Sequence, residues 1–156
     1  MLLPMKKMII ELICEKLGNQ LERLRHAAME SQLAATDRDS KAESKYDTRN
    51  LEASYLAAGQ ARQVEELSEA VQLFERYQPA DFSATGSVGP GALVEIKCKG
   101  ESMWFFLVPA AGGLEVNDGE RVVTLLSPDS HLYQQLIEAT LGQTLERPCG
   151  RISSIL

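Results

Sequence analysis

The residues whose chemistry stands out are three acids in a short polar stretch between two segments striped with apolar residues. Asp37, Asp39 and Glu43 place their carboxylates close together in the chain. Such carboxylates could serve a site on a partner molecule, or they could be solvated loop acids or charges that favour the positive start of a helix. Ser40 and Glu43 also fit the S-x-x-E capping box, which is a structural role. The residues alone leave these interpretations open.

The segments on either side of the acids predict a helical hairpin. Upstream, apolar residues recur at spacings of three and four from Ile9 to Ala28, and downstream they do so from Val64 to Phe74. This spacing is typical of one apolar face on a helix. Two such helices can bury their faces against each other as an antiparallel coiled coil. We therefore predict a hairpin over residues 1–78, with its tip near 36–46 and a length of roughly 45 Å.

The second half of the chain predicts a small α+β domain. Residues 79–91 are rich in Pro, Gly, Ser and Ala, a composition typical of a linker. Beyond them, short apolar runs bounded by turn residues predict an antiparallel sheet, and Ser127-Pro128 opens a short helix over about 131–141. The predicted strands are 92–99, 103–109, 114–117, 121–126 and 151–156. The expected domain covers 92–156.

Composition narrows the classes of partner. The formal net charge is −6, so free duplex DNA is an unexpected partner, because binding phosphates depends on a basic surface. No apolar run approaches the eighteen or so residues that a membrane span needs. Cys14, Cys98 and Cys149 are odd in number and widely spaced, which predicts neither a disulfide framework nor a CxxC metal site. A reducing cytoplasm is the expected location.

Two local patterns carry a family resemblance. Residues 38–46, RDSKAESKY, are similar to the tip pattern G-D-L-x-E-N-A-E-Y of the bacterial Gre transcript-cleavage factors, GreA and GreB. Ser127-Pro128 and the later Leu141-Gly142 resemble the family's C-terminal segment, in which an S-P pair opens a helix that leads to L-I-G. The order of hairpin, linker and strand-rich domain extends the resemblance over essentially the whole chain, most closely to a divergent Gre-like subgroup.

The resemblance implies a function at RNA polymerase. It implies an FKBP-like C-terminal domain that docks at the rim of the polymerase secondary channel, while the coiled coil enters the channel. There Asp39, with Asp37 or Glu43, would help hold a Mg²⁺ ion in the polymerase active site, so that the polymerase hydrolyses backtracked RNA. The chain would then have no catalytic residue, metal or cofactor of its own. Its partners would be the polymerase and, within that complex, the nascent RNA.

The sequence departs from the family pattern at the acids themselves. In the family the second acid follows the aspartate by three residues, but here that position is Ala42 and Glu43 comes one residue later. One residue rotates a helical side chain by about 100°. Lys45 also replaces a family acid. A regulator that occupies the channel without stimulating cleavage is therefore the alternative hypothesis.

Candidate docking residues lie in the C-terminal domain. Residues 103–106 form an apolar cluster in which strand alternation places half of the side chains in the core and leaves one or two for a surface. Trp104 and Phe106, together with Ser127 and Pro128, are the candidates. An FKBP-like fold also invites prolyl isomerase activity, although no aromatic proline pocket can be recognised, and an unrelated coiled-coil adaptor stays open as well.

Overall fold

Two long helices precede a six-stranded sheet. The computed structural model describes residues 4–36 and 48–156. Helix α1 spans Pro4–Thr36 and helix α2 spans Thr48–Glu75, as the apolar periodicity predicts. The remaining elements are β1 (Leu93–Cys98), β2 (Glu101–Leu107), β3 (Glu115–Asn117), β4 (Val122–Leu126), α3 (His131–Leu136), β5 (Thr144–Glu146) and β6 (Cys149–Ile155). The predicted α+β class, with a helix pair followed by a sheet and one short helix, is confirmed.

The sheet is mixed, which corrects the prediction of a purely antiparallel one. Its strand order is β3-β4-β2-β1-β6-β5. Strands β2 and β4 run parallel, with Trp104 beside Val123 and Phe106 beside Leu125, whereas the other neighbours are antiparallel. The chain leaves β2, forms the edge strand β3 and turns back as β4, so β4 arrives beside β2 in the same direction. Strand β5 was not predicted, because three residues show too little alternation to be recognised.

One face of the sheet packs against α3. The register places Ile96 opposite both Met103 and Ile152, so these side chains share a face. Buried on that side with Leu107 and Leu126 are Tyr133 and Leu136 of α3. Helix α3 begins at the cap residue Ser130, whose hydroxyl accepts a hydrogen bond from the backbone amide of Tyr133. This face is the main hydrophobic core of the domain.

The opposite face carries Leu93, Glu95, Trp104 and Phe106, which the register places together. The first turns of α1, residues 4–13, belong to the same compact unit as this sheet. Met5 of α1 accepts a hydrogen bond from Arg121 at its sulfur. Lys6 is fully buried and donates from Nζ to the carbonyl oxygens of Ala80 and Gly91, each at 2.7 Å.

The described residues group into two compact units. One contains residues 4–13 together with Arg76–Leu156, and the other is formed by the described part of Cys14–Glu75. In the second unit, Leu17 and Leu21 of α1 and Phe74 of α2 are buried, as expected of apolar faces three and four residues apart. The division into 1–78, 79–91 and 92–156 stays a prediction. Even so, residues 79–91 hold several fixed contacts, since Val88 and Gly91 donate backbone hydrogen bonds to Ala139 and Leu107.

Candidate docking groove

A groove in the unit that contains the sheet, residues 4–13 with Arg76–Leu156, includes one of the predicted docking residues, Pro128. Its volume is about 420 Å³. Prolines and tyrosines dominate its wall, and rigid rings of this kind lose little conformational entropy when they contact a partner. The lining residues are Tyr77, Gln78, Pro79, Ala80, Pro90, Leu107, Val108, Pro109, Pro128 and Tyr133. The groove is suited to an apolar or aromatic side chain that arrives from another protein.

The turn that carries Pro128 is held in one conformation by local hydrogen bonds. Ser127 donates from its hydroxyl to the Asp129 carboxylate, and its backbone oxygen accepts from the amide of Ser130 at 2.9 Å. The Pro128 carbonyl accepts from Nε2 of Gln134 at 3.3 Å. A side chain at Gly112 would overlap Ser127, so glycine is needed for the neighbouring loop to pass. Ser127 therefore fixes the turn, and exposed Pro128 presents its ring.

The other side of the groove is formed by Tyr77, which follows α2. Its ring lies 6.4 Å from that of Phe106, centroid to centroid. Burial, with a smaller contribution from Tyr133, raises the pKa of Tyr77. Its phenol therefore stays neutral at physiological pH, which keeps the groove free of a buried negative charge.

Phe106 was predicted to belong to an exposed docking surface, and the structure corrects this. Its side chain is fully buried. The ring of Tyr77 lies beside it, so Phe106 packs behind a groove residue. It has no exposed surface that a partner could contact.

Trp104 is half-buried and lies away from the groove lining. The Arg121 guanidinium lies 5.3 Å from the centre of its ring, a cation–π distance. Arg121 also pairs through Nε with Asp118 at 3.2 Å and through Nη2 with Glu120 at 2.7 Å. Burial opposes ionisation of Asp118, but hydrogen bonds from the amides of Glu120 and Arg121, and the Arg121 charge, hold its pKa below the usual value. The structure therefore separates Trp104 from Pro128 and assigns it to an Arg-centred cluster.

Glu95, the strand neighbour of Trp104, was missed by the sequence analysis. Its carboxylate accepts hydrogen bonds from the hydroxyls of Ser102 at 2.6 Å and Ser153 at 2.8 Å. Burial works against its charge, but these two bonds, with Lys97 and Arg121, lower the pKa of Glu95. An alternating strand predicts which face Glu95 occupies, but the partners come from β2 and β6 and are visible only once the register is known.

The predicted tip acids Asp37, Asp39 and Glu43 lie outside the described residues. Across the described ranges, no cluster of three or more His, Cys, Asp or Glu side chains is arranged to hold a metal ion. Over the same ranges, no helix combines the length and the apolar character needed to cross a membrane.

Comparisons with known proteins give structural neighbours alone. No family model and no curated protein matches the sequence. Among solved structures, GreA factor homolog 1 (Gfh1) of Thermus thermophilus is 22% identical, with 92% of this chain and 94% of that chain covered and a TM-score of 0.36. Thermus aquaticus Gfh1 is 19% identical, with 90% and 92% covered and a TM-score of 0.35.

Proposed function

We propose that this protein is a Gre-like accessory factor that binds RNA polymerase at the secondary channel, modulates elongation and stimulates the polymerase to cleave backtracked RNA. The proposal is supported by the order of elements, a helix pair followed by a sheet domain with one short helix, and by the sequence resemblance at residues 38–46 and at the Ser127-Pro128 pair. It assigns no reaction to the chain itself. The Mg²⁺ ion would belong to the polymerase active site.

The observation that carries the proposal is the position of Pro128. This residue was selected by sequence resemblance as a docking candidate, and it lines a groove of about 420 Å³ rich in proline and tyrosine. The groove lies within one compact unit, so its walls are held by the same core. A docking surface needs such a preorganised apolar centre, because few residues supply most of the binding energy at an interface.

A binding assay with core RNA polymerase tests the docking step. Pro128→Glu places a charge at the groove, where partner contact would desolvate it, and should weaken binding about tenfold or more. Leu141→Glu is the matched control, because Leu141 is 56% exposed and lies outside the groove lining. Equal affinity of Pro128→Glu and wild type would reject the groove as the dock. An absence of wild-type binding would reject the function itself.

A non-cleaving regulator of the same channel is the second candidate. The observation that favours it is Ala42 at the position of the family's second acid, together with Lys45 in place of another acid. Such a protein would compete with other channel occupants or inhibit synthesis. A transcript-cleavage assay on stalled complexes separates the two candidates, since only the first accelerates cleavage.

A further inference from the structure

Two of the three cysteines, far apart in the chain, meet at one end of the sheet. Cys98 is the last residue of β1 and Cys149 is the first residue of β6. These strands are antiparallel neighbours, with Lys97 opposite Arg151, so the register brings the two ends together. Both cysteines line one cavity of about 420 Å³, together with Lys99, Glu101, Met103 and Pro148.

The two thiols are in contact and differ in accessibility. A hydrogen bond between the Cys98 and Cys149 side chains is the largest cause of a raised Cys98 pKa, with smaller contributions from burial and the Glu101 carboxylate and an opposing one from Lys99. Both cysteines are free thiols in this structure; Cys149 is exposed and Cys98 is partly buried. A reagent in solution would therefore meet Cys149 first, with Cys98 placed behind it.

We propose that Cys98 and Cys149 form a reversible intramolecular disulfide when the protein meets a low-molecular-weight disulfide. The Cys149 thiolate attacks one sulfur of the reagent RSSR, which breaks the reagent's S–S bond, forms a mixed disulfide and releases one thiolate RS⁻. The Cys98 thiolate then attacks the Cys149 sulfur and displaces the second RS⁻. Overall two protein thiols are oxidised, one RSSR is reduced to two RSH, and both protons pass to the released thiols.

The disulfide would join β1 and β6 at the open end of their ladder. A covalent link between residues so distant in sequence restricts the unfolded chain strongly. The pair also resembles the arrangement of a regulatory thiol, in which an accessible cysteine is paired with a resolving one. Both steps need a thiolate as the attacking group, so formation of the disulfide should accelerate as the pH rises.

Treatment of the full-length protein with oxidised glutathione, followed by alkylation and peptide mass spectrometry without reduction, tests the proposal. The expected product is a cross-linked pair of peptides that contain Cys98 and Cys149, with Cys14 still alkylated. Cys14→Ser should give the same product, and Cys98→Ser should stop at a glutathione adduct on Cys149. Dithiothreitol should restore all thiols in the wild type.

Two results would overturn the proposal, and neither depends on the folding of a variant. The first is a wild type whose Cys98 and Cys149 are both fully alkylated after oxidation. The second is a wild type that accumulates stable glutathione adducts or disulfides to Cys14 or to a second copy in place of the intramolecular link.

Discussion

At the scale of single residues, Lys6 stands out because its charged side chain is buried in the described structure. It is fully buried, donates to the carbonyl oxygens of Ala80 and Gly91, and has its Nζ 5.1 Å from the centre of the Phe82 ring. A buried cation is costly unless it is fully hydrogen-bonded. Lys6 therefore joins the first turn of α1 to the segment 79–91, which composition alone describes as a linker.

Lys6→Met tests this role. The variant keeps the apolar stem but leaves the buried Gly91 carbonyl without its donor, at a cost of about 1–3 kcal/mol, and also removes the hydrogen bond to the part-buried Ala80 carbonyl. We expect the free energy of unfolding in urea to fall by about 2 kcal/mol or more. Lys7→Met is the matched control, because Lys7 is exposed, and it should change the stability little. Equal stabilities of the two variants would contradict the assigned role of Lys6.

The same lysine predicts a pH dependence of stability. Burial lowers the pKa of Lys6 from 10.5 to about 8, against an opposing effect of Asp81. Below about pH 8 the amine is charged in both the folded and the unfolded chain, so the folded state bears the full desolvation cost. Between about 8 and 10.5 the unfolded chain binds more protons, so stability from this group rises with pH.

The measurement for this effect is the difference in unfolding free energy between wild type and Lys6→Met, since other titrating groups cancel in it. The difference should grow in favour of the wild type from pH 7.5 to pH 10. A difference that stays flat or shrinks over this range would show that Lys6 titrates normally.

At the scale of elements, Arg121 connects the start of β4 to β2 and α1. It covers Trp104, pairs with Asp118 and donates to the sulfur of Met5. Trp104 is the sole tryptophan in the sequence, so its fluorescence reports this cluster.

Arg121→Ala should uncover the indole, shift its emission to longer wavelength and increase quenching by acrylamide. Arg147→Ala, which removes an exposed arginine, should leave the emission unchanged, and a silent Arg121→Ala would refute the stacking.

The elements also show what the sequence could and could not predict. Apolar spacing predicted α1 and α2, and turn residues bounded β1, β2, β3, β4 and β6, because these signals are local. The parallel pairing of β2 with β4 and the contact of Cys98 with Cys149 depend on which strands become neighbours. The burial of Phe106 has the same origin, since alternation gives the face of a strand but not what covers it.

At the scale of the whole molecule, two regions of the chain would have different roles in the proposed function. The groove at Pro128 would hold the polymerase, and Asp39, with Asp37 or Glu43, would act at the polymerase active site. Pro128 lines a groove, but its role in docking stays a prediction, as does the assignment of the tip acids. If the two regions act independently, substitutions in them should affect different measurements.

Asp39→Asn is the variant that tests this division. It keeps the size of the side chain but removes a charge and a hard ligand for Mg²⁺. We expect polymerase affinity within about twofold of wild type and transcript cleavage slower by about tenfold or more, the usual cost of disturbing a metal site. Pro128→Glu should instead lose affinity and regain cleavage at saturating concentration. A wild type that binds without accelerating cleavage would favour the non-cleaving regulator, and an Asp39→Asn protein that cleaves as fast as wild type would remove Asp39 from the site.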